Sequence, residues 1–300
     1  MLSRRSFLKL AGAGVLVVGA LAAYAVAIEP LWRLRIARYR LSPPGWERGP
    51  KLRIVALADF HACEPWMTAE RIGRICAEAN RLSGDIILLL GDFVSGMRLV
   101  TGAVAPEMWA AELAKLEAPL GVHAIQGNHD WWEDEAVQLA GGGETFAHRA
   151  LRAAGFPVFE NDAARLEKDG RPFWLAGLSS QIALLPGRRY GRSRMTGFDD
   201  LPATLAKVTD DAPVLLMAHE PDIFPQVPGR VSLTLSGHTH GGQVRLFGYS
   251  PVVPSAYGNR YAYGHIVEDG RNLVVSGGLG CSIMPVRFGS PPEITVIELG

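Results

Sequence analysis

The chain has 300 residues, 48% of them hydrophobic and 20% charged, with 30 basic and 30 acidic side chains. This describes an ordinary globular protein with enough material for a sizeable core, and zero net charge gives no reason to expect a nucleic-acid partner. Its three cysteines, Cys63, Cys76 and Cys281, contain no CxxC pair, which argues against a disulfide framework or a cysteine-based zinc knuckle.

The first segment in chain order is a targeting sequence. Ser3-Arg4-Arg5-Ser6-Phe7-Leu8-Lys9 resembles a twin-arginine export signal, and an apolar stretch from Leu10 to Ile28 follows without charge. A basic head and an apolar body are left out of fold reasoning. The resemblance implies passage through the twin-arginine translocation machinery, to the periplasm or the outer face of the cytoplasmic membrane. Ala23-Tyr24-Ala25 and Ala25-Val26-Ala27 both fit a small-x-small cleavage site. The 19 residues from Leu10 to Ile28 are also long enough to remain as an anchor. Residues 1–28 are therefore read as a signal peptide or a membrane anchor, with both fates open. Gly12-Ala13-Gly14 is not a dinucleotide fingerprint, because no strand precedes it.

Residues 29–50 form a connector rich in proline and arginine. Within it Leu31–Leu41 reads as a strand, with a short amphipathic helix on a membrane surface as the other option. From residue 51 to 300 one domain is expected. Apolar runs alternate there with helix-like stretches over Ala69–Leu82, Pro106–Glu117 and Gly143–Ala154, which predicts an α/β fold around a central sheet.

Five of the apolar runs end in polar residues of one chemical kind. Leu52–Ala58 ends in Asp59-Phe60-His61, Ile86–Leu90 in Gly91-Asp92, and Val122–Gln126 in Gly127-Asn128-His129-Asp130. Val214–Ala218 ends in His219-Glu220, and Val231–Leu235 in Ser236-Gly237-His238-Thr239-His240. Singly, each ending reads as a turn, a helix cap or a buried histidine. Together they put oxygen and imidazole donors at the carboxyl ends of five strands, where open α/β sheets bind ligands. The set contains no thiolate, which suits Mn, Fe or Zn in a catalytic site better than a structural zinc cage. Seven donors are too many for one tetrahedral ion and suit two divalent ions sharing a carboxylate. His123, His148 and His265 fall outside the pattern and are read as a strand, a helix and a late-loop residue. Cys63, two residues past His61, is read as a small semi-buried thiol near the site.

In this order the motifs Asp-x-His, Gly-Asp, Gly-Asn-His-Asp, His and Gly-His-x-His resemble those of the calcineurin-like metallophosphoesterases, over roughly residues 51–299. Gly237-His238-Thr239-His240-Gly241-Gly242-Gln243, Gly278-Leu279-Gly280 and Pro285-Val286-Arg287-Phe288 look like the exported or membrane-associated bacterial phosphodiesterase branch. The resemblance implies a four-layer α/β/β/α sandwich. It implies that Asp59, His61 and His240 bind a first metal and Asn128, His219 and His238 a second, with Asp92 bridging. It implies that a bridging hydroxide attacks phosphorus, that His129 stabilises or protonates the leaving oxygen, and that Asp130 orients His129. Ala62-Cys63-Glu64-Pro65 departs from the short glycine-containing loop of many members. The expected activity is hydrolysis of a phosphodiester or pyrophosphate, with a lipid-linked nucleotide sugar or a generic phosphodiester as substrate. The rival reading is a non-catalytic metal-binding envelope protein, for which His129 would have no role. A single-zinc peptidase lacks its HExxH: His219-Glu220 is followed by Pro221-Asp222.

Overall fold

The computed structural model describes residues 3–300. In chain order the strands are β1 (Arg35–Leu41), β2 (Leu52–Leu57), β3 (Cys63–Glu64), β4 (Ile86–Leu89), β5 (Gly102–Ala103), β6 (Val122–Ala124), β7 (Asp162–Lys168), β8 (Arg171–Gly177), β9 (Val214–Met217), β10 (Val231–Ser236), β11 (Gly264–Glu268), β12 (Arg271–Val275) and β13 (Glu293–Leu299). One sheet has the order β1-β13-β2-β4-β6, the other β11-β12-β10-β9-β8-β7. β3 and β5 make a small separate pair.

The two sheets face each other across an apolar core. Ile54, Ala56 and Leu88 of the first sheet pack there with Leu215, Met217, Leu233 and Val274 of the second. The alternate residues Val55, Leu57, Ile87 and Leu89 point outward into a second core under the helices. On the far side Val214, Leu216 and Val275 pack with Leu201, Ile223, Phe224 and Tyr261. This is the α/β/β/α sandwich. Burial on both faces explains why β2, β4 and β9 read as continuous apolar runs rather than alternating ones.

The helix over Ala69–Arg81 shows how the outer layer forms. Thr68 caps it by accepting the Arg71 N–H at 3.1 Å, and Ile72, Ile75, Cys76 and Ala79 make a buried stripe at helical spacing. Each large side chain on that stripe contributes about 1.5–3 kcal/mol by leaving water. Ser83, at φ 50°, turns the chain out of the helix toward β4. The helices over Pro106–Leu113 and Phe146–Ala153 are shorter than the pattern suggests. Leu116 is buried beyond the first of them, so the apolar pattern continues into a turn.

The proline- and arginine-rich connector divides. Glu29–Trp32 ends the N-terminal helix, while Arg35–Leu41 pairs in parallel with Glu293–Leu299 over seven register positions as an edge strand. His265 lies on β11, bonded to Asn272 Oδ1 at 2.9 Å, rather than in a loop. The helix over Arg4–Ala23 has no buried residue, and it runs on through a π-helical turn, Tyr24–Ile28. The combined helix, Arg4–Trp32, is long and apolar enough to cross a membrane.

Candidate metal centre

β2, β4 and β6 run parallel in the first sheet, and β9 and β10 run parallel in the second. Their carboxyl ends meet at one edge of the sandwich. There the chain turns sharply: Asp59, His61, Asp92, His238 and His240 all have φ between 48° and 69°. Left-handed backbone at a non-glycine residue costs about 1–3 kcal/mol, and this fold concentrates it at one site.

The turns gather donors from both sheets into two groups that share one residue. Asp59, His61, Asp92 and His240 form the first, and Asp92, His219 and His238 the second, with ligand atoms within 4.8 Å of one another in each. Asp92 Oδ2 lies 3.5 Å from His61 Nε2 and 3.2 Å from His219 Nε2. His61 Nε2 faces His240 Nε2 at 3.0 Å, and His238 Nδ1 lies 2.8 Å from Asn128 Oδ1. All seven residues predicted from the strand endings are buried together.

Ring orientation is set from outside the cluster. His219 Nδ1 faces the Leu90 carbonyl oxygen at 2.6 Å, and His61 Nδ1 the Val94 carbonyl oxygen at 3.1 Å. Those contacts direct both Nε2 atoms inward. The other Asp92 oxygen accepts the His129 backbone N–H at 2.8 Å, and Asp59 Oδ1 accepts that of His238 at 2.8 Å.

Burial holds the His61 and His238 pKa values down to about 3, and holds His240 well below its ordinary value with help from His61 and Arg287. These three imidazoles are neutral near pH 7, which is the form that ligates. Burial also opposes charge on His219, but Asp92 outweighs it and holds the His219 pKa well above the ordinary value. Burial works against the Asp92 anion as well, yet His219 and His129 keep its pKa well below the usual carboxylate range. Asp59 is pushed up to about 7 by burial, against the pull of His219.

Among the described residues, Asp59 Oδ2 is a buried polar atom with no hydrogen-bond partner. Orphaned donors and acceptors in a protein interior are rare, and an unpartnered carboxylate oxygen in this cluster fits a site built for cations. The space is kept free of side chains. A Cβ on Gly127 would come within 2.3 Å of Asp92 Oδ1, and one on Gly278, at φ 69°, within 2.6 Å of Asp59 Oδ2. This cluster of oxygen and imidazole donors can bind two divalent metal ions.

The fold and donor set find their counterpart in sequence comparison. The profile of the calcineurin-like phosphoesterases matches residues 52–242. The chain belongs to this family. Relatives of the calcineurin-like phosphoesterase include the uncharacterized metallophosphoesterase YkuE of Bacillus subtilis, 32% identical over 99% of this chain and 98% of its own length. A second, the phosphodiesterase YaeI of Escherichia coli, is 29% identical over the whole of both chains. An uncharacterized metallophosphoesterase of Aquifex aeolicus is 28% identical over 89% of this chain and 92% of its own. The protein is thus a metal-dependent hydrolase of the phosphoesterase type.

His129 and Asp130 sit at the amino end of the short helix Asn128–Trp132, in different environments. The His129 ring lies beside the cluster, edge-on to His61 at a centroid distance of 4.9 Å and against Trp132 at 5.0 Å. Its Nε2 is 3.3 Å from Ser282 Oγ and its Nδ1 is 3.4 Å from Glu133 Oε1. Burial lowers the His129 pKa, but Asp92 and Glu133 outweigh it and raise it. Asp130 turns away and accepts the backbone N–H groups of Asp92, Phe93, Val94 and Gly127 at 2.8–3.1 Å. Burial and the Asp92 charge push Asp130 up to about 7, against the Gly127 and Val94 donors. The carboxylate that meets the His129 ring is Glu133, one helical turn on, a spacing visible in the sequence.

Two further residues complete the rim. Gln243 accepts the Ser282 N–H at 2.6 Å and donates to the Met284 and Val286 carbonyl oxygens at 3.2 Å, so it clamps the loop that carries Ser282. Arg287, fully buried, donates to the Gly277 and Ser290 carbonyl oxygens at 2.8 Å and approaches His240 Nδ1 at 3.2 Å. Cys63 packs with Met97 and Cys281 in a small apolar cluster, and burial pushes its thiol up. All three cysteines are free and buried.

Proposed function

We propose that this is a phosphodiester or pyrophosphate hydrolase of the cell envelope, exported by the twin-arginine route and held at the outer face of the cytoplasmic membrane by its N-terminal helix. In this reading Asp59, His61 and His240 hold one divalent ion, Asn128, His219 and His238 a second, and Asp92 both. The observation that carries it is the Asp92 carboxylate, one oxygen of which faces histidines of both donor groups. The full-length similarity to a relative named a phosphodiesterase supports the diester class.

Bound Mn, Fe or Zn ions would supply an activated water and positive charge against the phosphoryl oxygens. The protein's own part is positioning and proton transfer. Asp92 and Glu133 raise the His129 pKa against burial, which favours the protonated ring; the ring lies beside the cluster, and Glu133 faces its Nδ1. His129 is placed to give that proton to the leaving alkoxide. Asn128 adds a neutral oxygen donor, so a negatively charged ester is not repelled by a third carboxylate.

Retention of the helix is supported by its lower end, which is built into the domain. The Arg287 N–H donates to the Ala25 carbonyl oxygen at 2.9 Å, and the Ser290 N–H to the buried Glu29 carboxylate at 2.7 Å. Arg71 donates to the Pro30 carbonyl oxygen. An anchored site favours a lipid-linked phosphoester, including a nucleotide-sugar lipid, over a diffusing diester. The deciding experiment is hydrolysis of bis(p-nitrophenyl) phosphate with added Mn by the parent and by Asp92→Ala. Full activity in the variant would sink the mechanism. Intact mass of the membrane-bound protein tests the anchor, which a cut after Ala25 or Ala27 would refute.

A further inference from the structure

The catalytic mouth has an apolar border on the side of the helix base. Phe247 and Gly248 form the tip of a two-residue turn, at φ 51° and 85°, closed by paired backbone hydrogen bonds between Leu246 and Tyr249. The Phe247 side chain packs on nothing, at 108% relative exposure. Leu246, Tyr249 and Val252 beside it are exposed, as are Ile283, at 77%, and Met284 in the adjoining loop. Grouped apolar side chains in water mark an interaction surface.

The two loops are one unit. Val244 bridges to Phe288, the Arg245 N–H donates to the Phe288 carbonyl oxygen at 2.7 Å, and Gln243 clamps Met284. On one side this unit meets the helix: the Phe288 ring lies edge-on to Tyr24 at 5.9 Å, beside the Arg287–Ala25 hydrogen bond. On the other side Ser282, one residue before Ile283, touches His129.

The helix sets a depth. Arg4–Ala23 has 20 residues and none buried. At a rise of 1.5 Å per residue it spans about 30 Å, the thickness of a bilayer's hydrocarbon core. Arg4, Arg5 and Lys9 mark its inner end. Packing against the domain begins at Tyr24, whose hydroxyl accepts from Arg33 at 2.9 Å, an aromatic and cationic pair of the kind found at the lipid–water interface. The loops packed on Tyr24 and Ala25 lie at that same level.

We infer that Leu246, Phe247, Tyr249, Val252, Ile283 and Met284 dock on the outer leaflet of a phospholipid bilayer. The catalytic mouth then opens at the lipid surface and takes phosphoesters whose apolar part stays in the membrane. This deepens the reading of an anchored phosphodiesterase and rests on it. The occupant is lipid rather than a partner protein because the surface is continuous with the base of a helix that crosses the bilayer.

The test uses the full chain in vesicles of phosphatidylcholine and phosphatidylglycerol. An environment-sensitive fluorophore is placed on Phe247→Cys, the native cysteines being buried. The control is Asp169→Cys, in the exposed β7–β8 turn next to Lys168, which reaches back to Lys51 at the opposite pole of the sheets. The label at 247 is expected to shift to the blue and to be quenched by chain-brominated lipid, and the label at 169 to stay in water. A label at 247 that behaves like the control overturns the proposal, and so does a shift that follows protein concentration without lipid, the mark of a second copy. Phe247→Asn is expected to lower kcat/KM on a vesicle-borne lipid phosphodiester about tenfold while bis(p-nitrophenyl) phosphate hydrolysis is unchanged. Equal effects on both substrates overturn it. A parent inactive on every diester sinks the phosphodiesterase reading instead, and the fluorophore still reports docking.

Discussion

His129 Nδ1 faces Glu133 Oε1 across 3.4 Å, one turn on, where Glu133 caps the end of the same short helix. A proton donor needs its second ring nitrogen held, or the ring turns and the proton points elsewhere. Glu133 is the carboxylate in position to hold it. Glu133→Ala is expected to lower kcat about tenfold on bis(p-nitrophenyl) phosphate, with KM and metal content unchanged, and Glu133→Gln to recover part of the loss. His129→Ala should cost 10²–10⁴-fold, the ordinary range for a lost acid catalyst. Equal metal content in all three variants separates this role from ligation. Loss of ions from Glu133→Ala would show that the residue supports the metal site instead.

Asp130 does different work from the orienting role the motif suggests. Its two oxygens accept four backbone N–H groups, three from the turn after β4 and one from Gly127. That turn sets the left-handed backbone of Asp92. Asp130→Asn replaces one accepting oxygen with a donor, so buried N–H groups lose their partner. The expected cost is at least about 2 kcal/mol of stability, since each unsatisfied buried group costs about 1–3 kcal/mol. Denaturant unfolding of the metal-free protein measures it. A variant as stable as the parent, but with kcat lowered alone, would restore the orienting role.

Much of the site was legible because its chemistry is local. Asp59, His61, Asp92, Asn128, His219, His238 and His240 each follow an apolar run, and a run buried on both faces shows itself in sequence. Their convergence needed only the rule that ligands sit at the carboxyl ends of parallel strands. The sandwich followed from family resemblance rather than periodicity, since one apolar run cannot say which of two sheets it joins. β1 was ambiguous because an edge strand is half exposed: of Arg35–Leu41 only Ala37 is fully buried. Gln243 and Arg287 stand in motifs of the resemblance, but their roles and that of Ser282 could not be foreseen, because they act through a loop whose position depends on contacts 39 to 153 residues apart in sequence. Glu133 was within reach, at i+4 from His129.

The unpartnered Asp59 Oδ2 implies that ions stabilise the fold as well as serve the reaction. Binding to the folded state alone adds about 2.7 kcal/mol when free ion is a hundred times its Kd. Adding Mn or Zn to chelator-treated protein is expected to raise Tm and restore turnover together. In Asp92→Ala both responses should be lost, because the residue common to the two donor groups is gone. A rise in Tm without recovered turnover would separate structural binding from catalysis and favour the non-catalytic reading.

Glu29 lies before the catalytic sheets in sequence, yet its carboxylate is buried and accepts the Ser290 N–H at 2.7 Å. Ser290 in turn donates its hydroxyl to the His240 carbonyl oxygen at 3.0 Å. The end of the helix is thus two hydrogen bonds from a candidate metal ligand. Glu29→Ala leaves a buried N–H without an acceptor, which should cost about 1–3 kcal/mol. Tm of the full chain in detergent, with and without Mn, reads that loss, and the Mn-dependent increment should shrink as the loop carrying Ser290 loosens. A removable leader with no part in the fold predicts neither change, so an unaltered Tm in Glu29→Ala would count against the helix as a built-in element of the domain.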